Sequence, residues 1–378
     1  MKQKILIFID WFAPGYKAGG PTTSNINIVD HLSDTFDFYV LTSDTDYHES
    51  KPYQNITSDE WTKQNGFSVY YFSYKNLSFN TLKKAIKESE CDIWYINGIY
   101  SKYFSIFPLV LAKIIHPKRV IVSARGMLSP HALAIKSTEK RGYLLIARSL
   151  KLFSNVKFHA TNDEEANYIK QVLGKKRNIQ SIENLPRKVN LDFSATKKNN
   201  AEVKLVSFAR ISPEKNTLYA IKCLKYCKKQ VIYHIYGQIN SSSYWSECEQ
   251  AIKDLPDNVT VKYKGTVSPQ EMPNIYKNYH FLFLPSTGEN FGHAILESFM
   301  NSSPVIISNK TPWKHLKEKN IGWDLPLDNQ RLFSSTIDEC VELSSEQYNT
   351  MANNAYEYAK KVSENPFVKQ NYISLFTK

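Results

Sequence analysis

The chain has 378 residues, more than a single hydrophobic core usually supports, so two domains of ordinary size are expected. A hydrophobic share of 42% and an aromatic share of 13% exclude a disordered or fibrous chain. The formal net charge of +12 favours an anionic partner, either nucleic acid, a lipid headgroup surface or a phosphorylated small molecule; dispersed lysines and the lack of any RNP-type, zinc-finger or helix-turn-helix signature argue against nucleic acid.

The opening "MKQKILIFID" reads as a first buried strand, because its apolar run is too short for a secretory leader and leads straight into a turn. Behind it, "APGYKAGGPTTSNINIVDHL" puts Gly19 and Gly20 in a turn ahead of a helix capped by Thr22, Thr23 or Ser24. That turn matches neither GxGxxG nor the Walker lysine motif, which disfavours a nicotinamide or ATP site of the usual kinds. The runs "FDFYVL", "SVYYFS", "DIWYIN", "RVIVSA" and "VKFHAT" follow, with amphipathic stretches between them, and predict a parallel sheet covered by helices on both faces. One DxD, Asp44 to Asp46, follows an early strand and reads as turn chemistry rather than metal ligation.

Residues 140–153, "KRGYLLIARSLKLF", interleave Lys140, Arg141, Arg148 and Lys151 with Leu144, Leu145, Ile146, Leu150 and Phe153. A basic amphipathic helix of this kind rests on an anionic leaflet or packs on its own sheet, and the residues leave both open. Residues 183–204, polar and without apolar periodicity, form the best linker. A second series of strands, "VKLVSFA", "VIYHIYG", "VTVKYKG", "HFLFLPS" and "PVIIS", predicts a second parallel sheet. Residues 329–376 read as mostly helical, broken at Pro366.

The five cysteines, Cys91, Cys223, Cys227, Cys248 and Cys340, form no CxxC pair, which points to a reducing compartment and buried structural roles. No uninterrupted apolar stretch approaches the roughly 20 residues needed to span a bilayer. A cytoplasmic protein is expected.

Two stretches of the second half carry chemistry. In "SFARISPEKN", Arg210 and Lys215 lie in a strand-to-helix turn, where two cations can neutralise one diphosphate. In "PSTGENFGHAILESF", Glu289 precedes a helix and Glu297 lies within it, around a helix start whose N–H groups favour an anion. Eight helical residues span about 12 Å, which suits a ligand with a phosphate centre and a polyol at each end, each polyol donating hydroxyls to a carboxylate. A nucleotide sugar has that layout. Taken singly, each of the four is as well read as a surface charge.

Together with "AGGP", "ARGMLSP" (124–130), "HATNDEEAN" (159–167) and "YGQIN" (236–240), these motifs resemble the retaining glycosyltransferases of family 4, over nearly the whole chain and in the right order. The resemblance implies an α/β GT-B fold, two doubly wound Rossmann-like domains facing across a cleft. Residues 1–190 would be the acceptor side and 200–359 the nucleotide-sugar side, with a helix at 360–378 packing back on the N-terminal domain. It implies transfer of a sugar from a UDP- or GDP-linked donor, with retention and with neither metal nor other cofactor, to a saccharide or lipid-linked saccharide in capsule, O-antigen or exopolysaccharide synthesis. Peripheral contact with the anionic inner membrane is expected on the same ground.

By position, Glu289 would contact donor sugar hydroxyls and Glu297 the ribose. Arg210 and Lys215 would stabilise the leaving diphosphate, helped by backbone N–H groups of Asn290, Phe291 and Gly292. Gly19, Gly20 and Gly237 would line the donor site. Arg125 stands where relatives carry a histidine that reaches the donor sugar, with His131 six residues on; Arg125 would bind sugar or phosphate, or brace its loop. Two other readings use the same phosphate site: a GT-B enzyme of other chemistry, such as a sugar phosphorylase or nucleotide-sugar epimerase, and a non-catalytic nucleotide-sugar-binding protein.

Overall fold

The computed structural model describes residues 2–134, 137–188, 192–199 and 201–378, with the side chain of His131 outside that description. The chain forms two compact units, Met1–Lys188 with Asn365–Lys378, and Val189–Glu364. Each is built on its own sheet, giving the two Rossmann-like sheets of the expected α/β class.

In the first unit the strands are β1 (Gln3–Phe8), β2 (Phe36–Ser43), β3 (Trp61–Gln64), β4 (Phe67–Phe72), β5 (Ile93–Asn97), β6 (Arg119–Ser123), β7 (Val156–Ala160) and β8 (Asn178–Ser181). The helices between them are α1 (Gly20–Leu32), α2 (Phe79–Ser89), α3 (Phe107–Ile115), α4 (Pro130–Ala134), α5 (Ser137–Ser149) and α6 (Asp163–Leu173). The order across the sheet is β3-β4-β2-β1-β5-β6-β7-β8, parallel except for the β3–β4 pair. Successive connections run outward in one direction from β1 and in the other from β5, so the carboxyl ends of these two strands flank the crevice where doubly wound sheets bind ligands.

The second unit has strands β9 (Glu202–Phe208), β10 (Gln230–Tyr236), β11 (Val259–Tyr263), β12 (Phe281–Leu284), β13 (Val305–Ser308) and β14 (Gly322–Leu325). Its helices are α7 (Thr217–Leu224), α8 (Ser242–Lys253), α9 (Met272–Tyr276), α10 (His293–Met300), α11 (Gln330–Glu342) and α12 (Ser345–Ser363). The parallel order β11-β10-β9-β12-β13-β14 puts the switch between β9 and β12. β12 and β13 are buried at every position, as expected of strands covered on both faces.

The last helix, α13 (Pro366–Thr377), returns to the first unit. Pro366 sits in its first turn, where a missing N–H breaks no helical bond, and the Asn365 side chain accepts from the Phe367 N–H at 3.1 Å. Tyr372, Leu375 and Phe376 of α13 are fully buried in the same core as Phe36, Phe38 and Tyr95. Burial of such side chains is worth about 1.5–3 kcal/mol each. The polar stretch read as linker is mostly docked: Asn27 Nδ2 donates to the Leu185 carbonyl at 2.8 Å, and Lys198 Nζ to the Val341 carbonyl at 2.9 Å. Residues 189–191 and 200 of that stretch lie outside the described residues. All five cysteines are buried free thiols, four of them in the second unit's core.

Candidate functional site

In the second unit two of the predicted charges, Lys215 and Glu289, come together at the switch point. Lys215, from the loop after β9, donates to both oxygens of Glu289, from the loop after β12, at 2.7 and 2.8 Å. The two loops are laced by backbone: the Thr287 N–H donates to the Glu214 carbonyl at 2.9 Å, and Asn216 Nδ2 donates to the Pro285 carbonyl at 3.0 Å. The ion pair is therefore held by its framework rather than by two mobile surface side chains. With 21% of Lys215 and 10% of Glu289 exposed, the pair stays reachable from solvent while losing much of its screening.

Arg210 lies on the same rim, its flanking backbone fixed by Ala209 N–H to the Tyr236 carbonyl (3.1 Å) and Ile211 N–H to the Gln238 carbonyl (2.8 Å). Gly237 closes this corner with a φ of +151°, and a Cβ there would fall on the Ala209 carbonyl oxygen. Steric need explains that glycine without any ligand, a demand hidden in "YGQIN" because the partner strand is far away in sequence.

Glu289, Asn290, Phe291 and Gly292 run directly into α10. Gly292 is the N-cap, at φ +80°, and a Cβ would lie 2.9 Å from Ile295 Cδ1 and 3.2 Å from Trp313 Nε1. The indole N–H of Trp313 donates to the Phe291 carbonyl, so the Phe291–Gly292 peptide at the helix start is held in place. Phe291 itself is core, edge-on to Trp313 at 5.7 Å. Trp313 is a positioning residue that sequence reasoning missed, since it lies in a loop after β13 with no local pattern. Glu297 sits one helical turn after His293 on a half-buried face of α10.

The first unit treats its cation differently. Arg125, at φ +51° after β6, donates from Nε to Asn97 Oδ1 (2.7 Å), from Nη1 to Asn184 Oδ1 (2.6 Å) and from Nη2 to Tyr95 Oη (3.0 Å). All three acceptors are neutral, so they orient the guanidinium without cancelling its charge. Of the tasks expected of Arg125, the geometry displays bracing. Tyr95 in turn donates to Nδ1 of His159 at 2.7 Å, because His159 Nε2 faces the Ile182 carbonyl at 3.0 Å and must carry the proton. Complete burial, with Arg125 adding repulsion, drops the His159 pKa to about 3 and keeps the ring neutral. Glu165 braces the same loop by accepting from the Gly126 N–H (2.6 Å) and from the Thr161 N–H and hydroxyl (both 2.7 Å).

Gly19 and Gly20 open α1 after β1, and a Cβ added at Gly19 would meet only open space. Among the described residues no side-chain cap closes that helix start: the Thr22 hydroxyl donates to the Trp11 carbonyl at 2.8 Å and the Thr23 hydroxyl to the Gly19 carbonyl at 3.3 Å instead. Across the first unit's switch, Ser101 donates to Asp10 Oδ1 at 2.6 Å, and burial pushes the Asp10 carboxyl up against that donation. In the DxD, Asp46 accepts the N–H groups of Tyr16 (3.0 Å) and Tyr47 (2.7 Å), and Asp44 accepts from Ser58 (2.9 Å). Among the described residues no three acidic, histidine or cysteine side chains cluster at metal-ligand geometry.

Helix α5 departs from simple packing on its sheet. Ala147 is buried, but Leu145, Ile146 and Leu150 are 68%, 60% and 57% exposed. Among the described residues, no helix is long and apolar enough to cross a membrane.

Residues 189–358, nearly all of the second unit, match the family model described as glycosyl transferases group 1. Solved structures agree over the whole length. HepE of Anabaena, in complex with UDP and glucose, superposes with a TM-score of 0.70 at 18% identity, covering 99% of both chains. Sucrose-phosphate synthase of Thermosynechococcus elongatus gives 0.72 at 14%, covering 99% of this chain and 98% of that one. WaaG, a glycosyltransferase of lipopolysaccharide biosynthesis, gives 0.65 at 13%, covering 99% of both. At these identities the likeness is one of fold, the GT-B fold. A search of curated protein sequences finds no match to this chain.

Proposed function

We propose, from the group 1 glycosyltransferase domain at residues 189–358 as premise, that this chain transfers a sugar from a UDP- or GDP-linked donor to a saccharide acceptor, with retention and without a metal. The observation that carries the proposal is the Lys215–Glu289 pair at the β9/β12 switch, beside the glycine-capped start of α10. A leaving diphosphate takes up negative charge as the glycosidic bond breaks. Fixed cations and aligned N–H dipoles stabilise that charge without reorganising. Lys215 and Arg210 serve as the cations, and backbone of Asn290 to Gly292 supplies the dipoles. Glu289 accepts from donor sugar hydroxyls and Glu297 from the ribose.

The acceptor is a saccharide, carried on a lipid, in the making of a surface polysaccharide, and it binds the first unit. Arg125 supports this indirectly by holding Asn97 and Asn184 at the strand ends. HepE bound to UDP-glucose, in the same fold, supports a nucleotide-sugar donor.

The test is turnover with a panel of nucleotide sugars, first with water and then with saccharides as acceptor, in the presence of EDTA. The expected result is release of UDP or GDP from one donor, unaffected by EDTA, with the first-formed product keeping the donor's anomeric configuration by NMR. Binding of a nucleotide sugar without any turnover would favour the non-catalytic reading, and restoration of a dead EDTA-treated enzyme by manganese would overturn the metal-free one.

A further inference from the structure

We infer that Asp10, at the carboxyl end of β1, holds the hydroxyl group that accepts the sugar, that of a saccharide or, where none is bound, that of water. The residue lies at the first unit's switch point, where the connections of β1 and β5 part. Its Oδ1 accepts from Ser101 Oγ at 2.6 Å, and Ser101 Oγ itself accepts from the Phe104 N–H at 3.2 Å, so the one hydroxyl proton is committed to Asp10 and the direction of that bond is fixed. The backbone is fixed too, because the Asp10 carbonyl accepts from the Thr42 hydroxyl and the Ser43 N–H, both at 3.1 Å. Apart from Ser101 and its own N–H, no donor and no cation among the described residues meets the carboxyl. A carboxylate has about four acceptor positions, so Oδ2 keeps room for a donor from outside. The residue is half-buried, hence desolvated yet reachable.

A second acceptor at these strand ends has the same need. Asn25 of α1 is fully buried and gives Nδ2 to Asn97 Oδ1, at the end of β5, and to the Pro21 carbonyl, both at 2.8 Å. Asn97 Oδ1 also takes the proton of Arg125 Nε, so Asn25 cannot turn its amide over, and its Oδ1 is left without a partner among the described residues. Such a buried acceptor costs about 1–3 kcal/mol while it stays unpaired. Open acceptors select a ligand that brings donors: a diphosphate has none to give, whereas a saccharide is rich in them. Trp11, next in the chain, is half-exposed with Tyr47 edge-on at 4.9 Å, which adds an apolar ring surface of the kind that lines small-molecule sites. The inference rests on the proposed transfer reaction and adds to it the group that receives the acceptor.

The test is release of UDP or GDP from a panel of nucleotide sugars by wild type, Asp10→Asn and Ser101→Ala, with water and with methyl glycosides as acceptor, over an acid-to-neutral pH series. Asn keeps the bond from Ser101 and puts an NH₂ donor where Oδ2 stood, so the hydroxyl meets the wrong group at unchanged size. Release falls on the order of 10²-fold, while affinity for UDP or GDP and the melting temperature stay at wild-type values. Holding a hydroxyl proton needs the ionised carboxyl, so wild-type release weakens on the acid side as Asp10 is protonated. Ser101→Ala removes the donation that opposes the effect of burial on Asp10, and moves that weakening to higher pH. A rate in Asp10→Asn within a few-fold of wild type, a loss of UDP or GDP affinity as large as the loss of rate, or an acid limb that Ser101→Ala leaves in place overturns the inference. A wild type that turns over no nucleotide sugar removes the proposed function and this inference together; turnover that Asp10→Asn leaves intact removes this inference alone.

Discussion

The two units place a cation at the carboxyl end of a parallel sheet in opposite electrostatic settings. Lys215 faces a carboxylate in a partly exposed pair, while Arg125 is fanned over Asn97, Asn184 and Tyr95 inside a hydrogen-bonded lattice. A lysine paired with Glu289 can exchange partners when a stronger anion arrives, because the pair is reachable and the loops around it are held by backbone bonds. An arginine spread over three neutral acceptors exchanges nothing without breaking its loop. Similar topology therefore yields one cation in a reachable ion pair and one in a fixed brace, and the difference lies in whether the partner is ionised.

The sharpest way to break this contrast is at Glu289. Glu289→Gln should lower kcat by about 10³-fold, on the scale of a lost charge-aligned contact, with nucleotide-sugar affinity changed only a few-fold; equal rates in mutant and wild type would end the assignment. Lys215→Ala should reduce both kcat and donor affinity, which separates a charge acting on the diphosphate from one acting only on Glu289.

Gly237→Ala comes next. With the Cβ directed at the Ala209 carbonyl, the corner must open, at a cost of about 3–4 kcal/mol, seen as a lower melting temperature that bound UDP or GDP does not restore. On the other side, Arg125→Lys should cost about 2–3 kcal/mol, since one ammonium cannot serve three divergent acceptors. Its signature is a loss of stability larger than any change in affinity for UDP or GDP. A donor-affinity loss with full stability would give Arg125 the ligand role proposed for Lys215 and erase the contrast.

Just below neutral pH the smallest effect is that of protonation. His159 in the first unit falls to about 3, and His280 in the second to about 4, mainly through burial. Both folded values lie below the unfolded one of about 6.5, so the unfolded chain binds more protons and stability falls as pH drops below it, by about 1.4 kcal/mol per pH unit per histidine. Near pH 4 the folded state begins to protonate His280 and its contribution levels off, while that of His159 continues toward pH 3. His159→Gln should flatten the acid limb of a melting-temperature profile further down than His280→Gln; identical profiles would refute the neutral His159 chain.

Central strands were legible because both their faces are buried and their residues form apolar runs. Each such run in the sequence is a strand, from β1 at "KILIFI" to β13 at "PVIIS". The strands that escaped reading are β3 (WTKQ), β8 (NIQS) and β14 (GWDL), all at or beside a sheet edge, where one side lacks a partner strand and polar residues are tolerated. Glu289 and Lys215 stood out as charges in strand-to-helix turns, yet nothing local announced that they touch. Trp313, Asn184 and Asn97 gave no signal, and Glu165 only as part of "HATNDEEAN", because each is defined by the distant group it holds.

By itself the amino-acid order settles which segments become strands, which turns carry charge and glycine, and that two sheets form, for these follow from side-chain periodicity and backbone sterics within a few residues. Whether a charge becomes an exchangeable pair or a buried brace depends on which groups from remote strands converge on it and how far they exclude water. The chain crossing back at Asn365, the exposed Leu145 and Ile146 of α5 and the neutrality of His159 are of that second kind. Each is a property of surroundings assembled from residues tens to hundreds of positions apart, so folding has to bring them together before it exists.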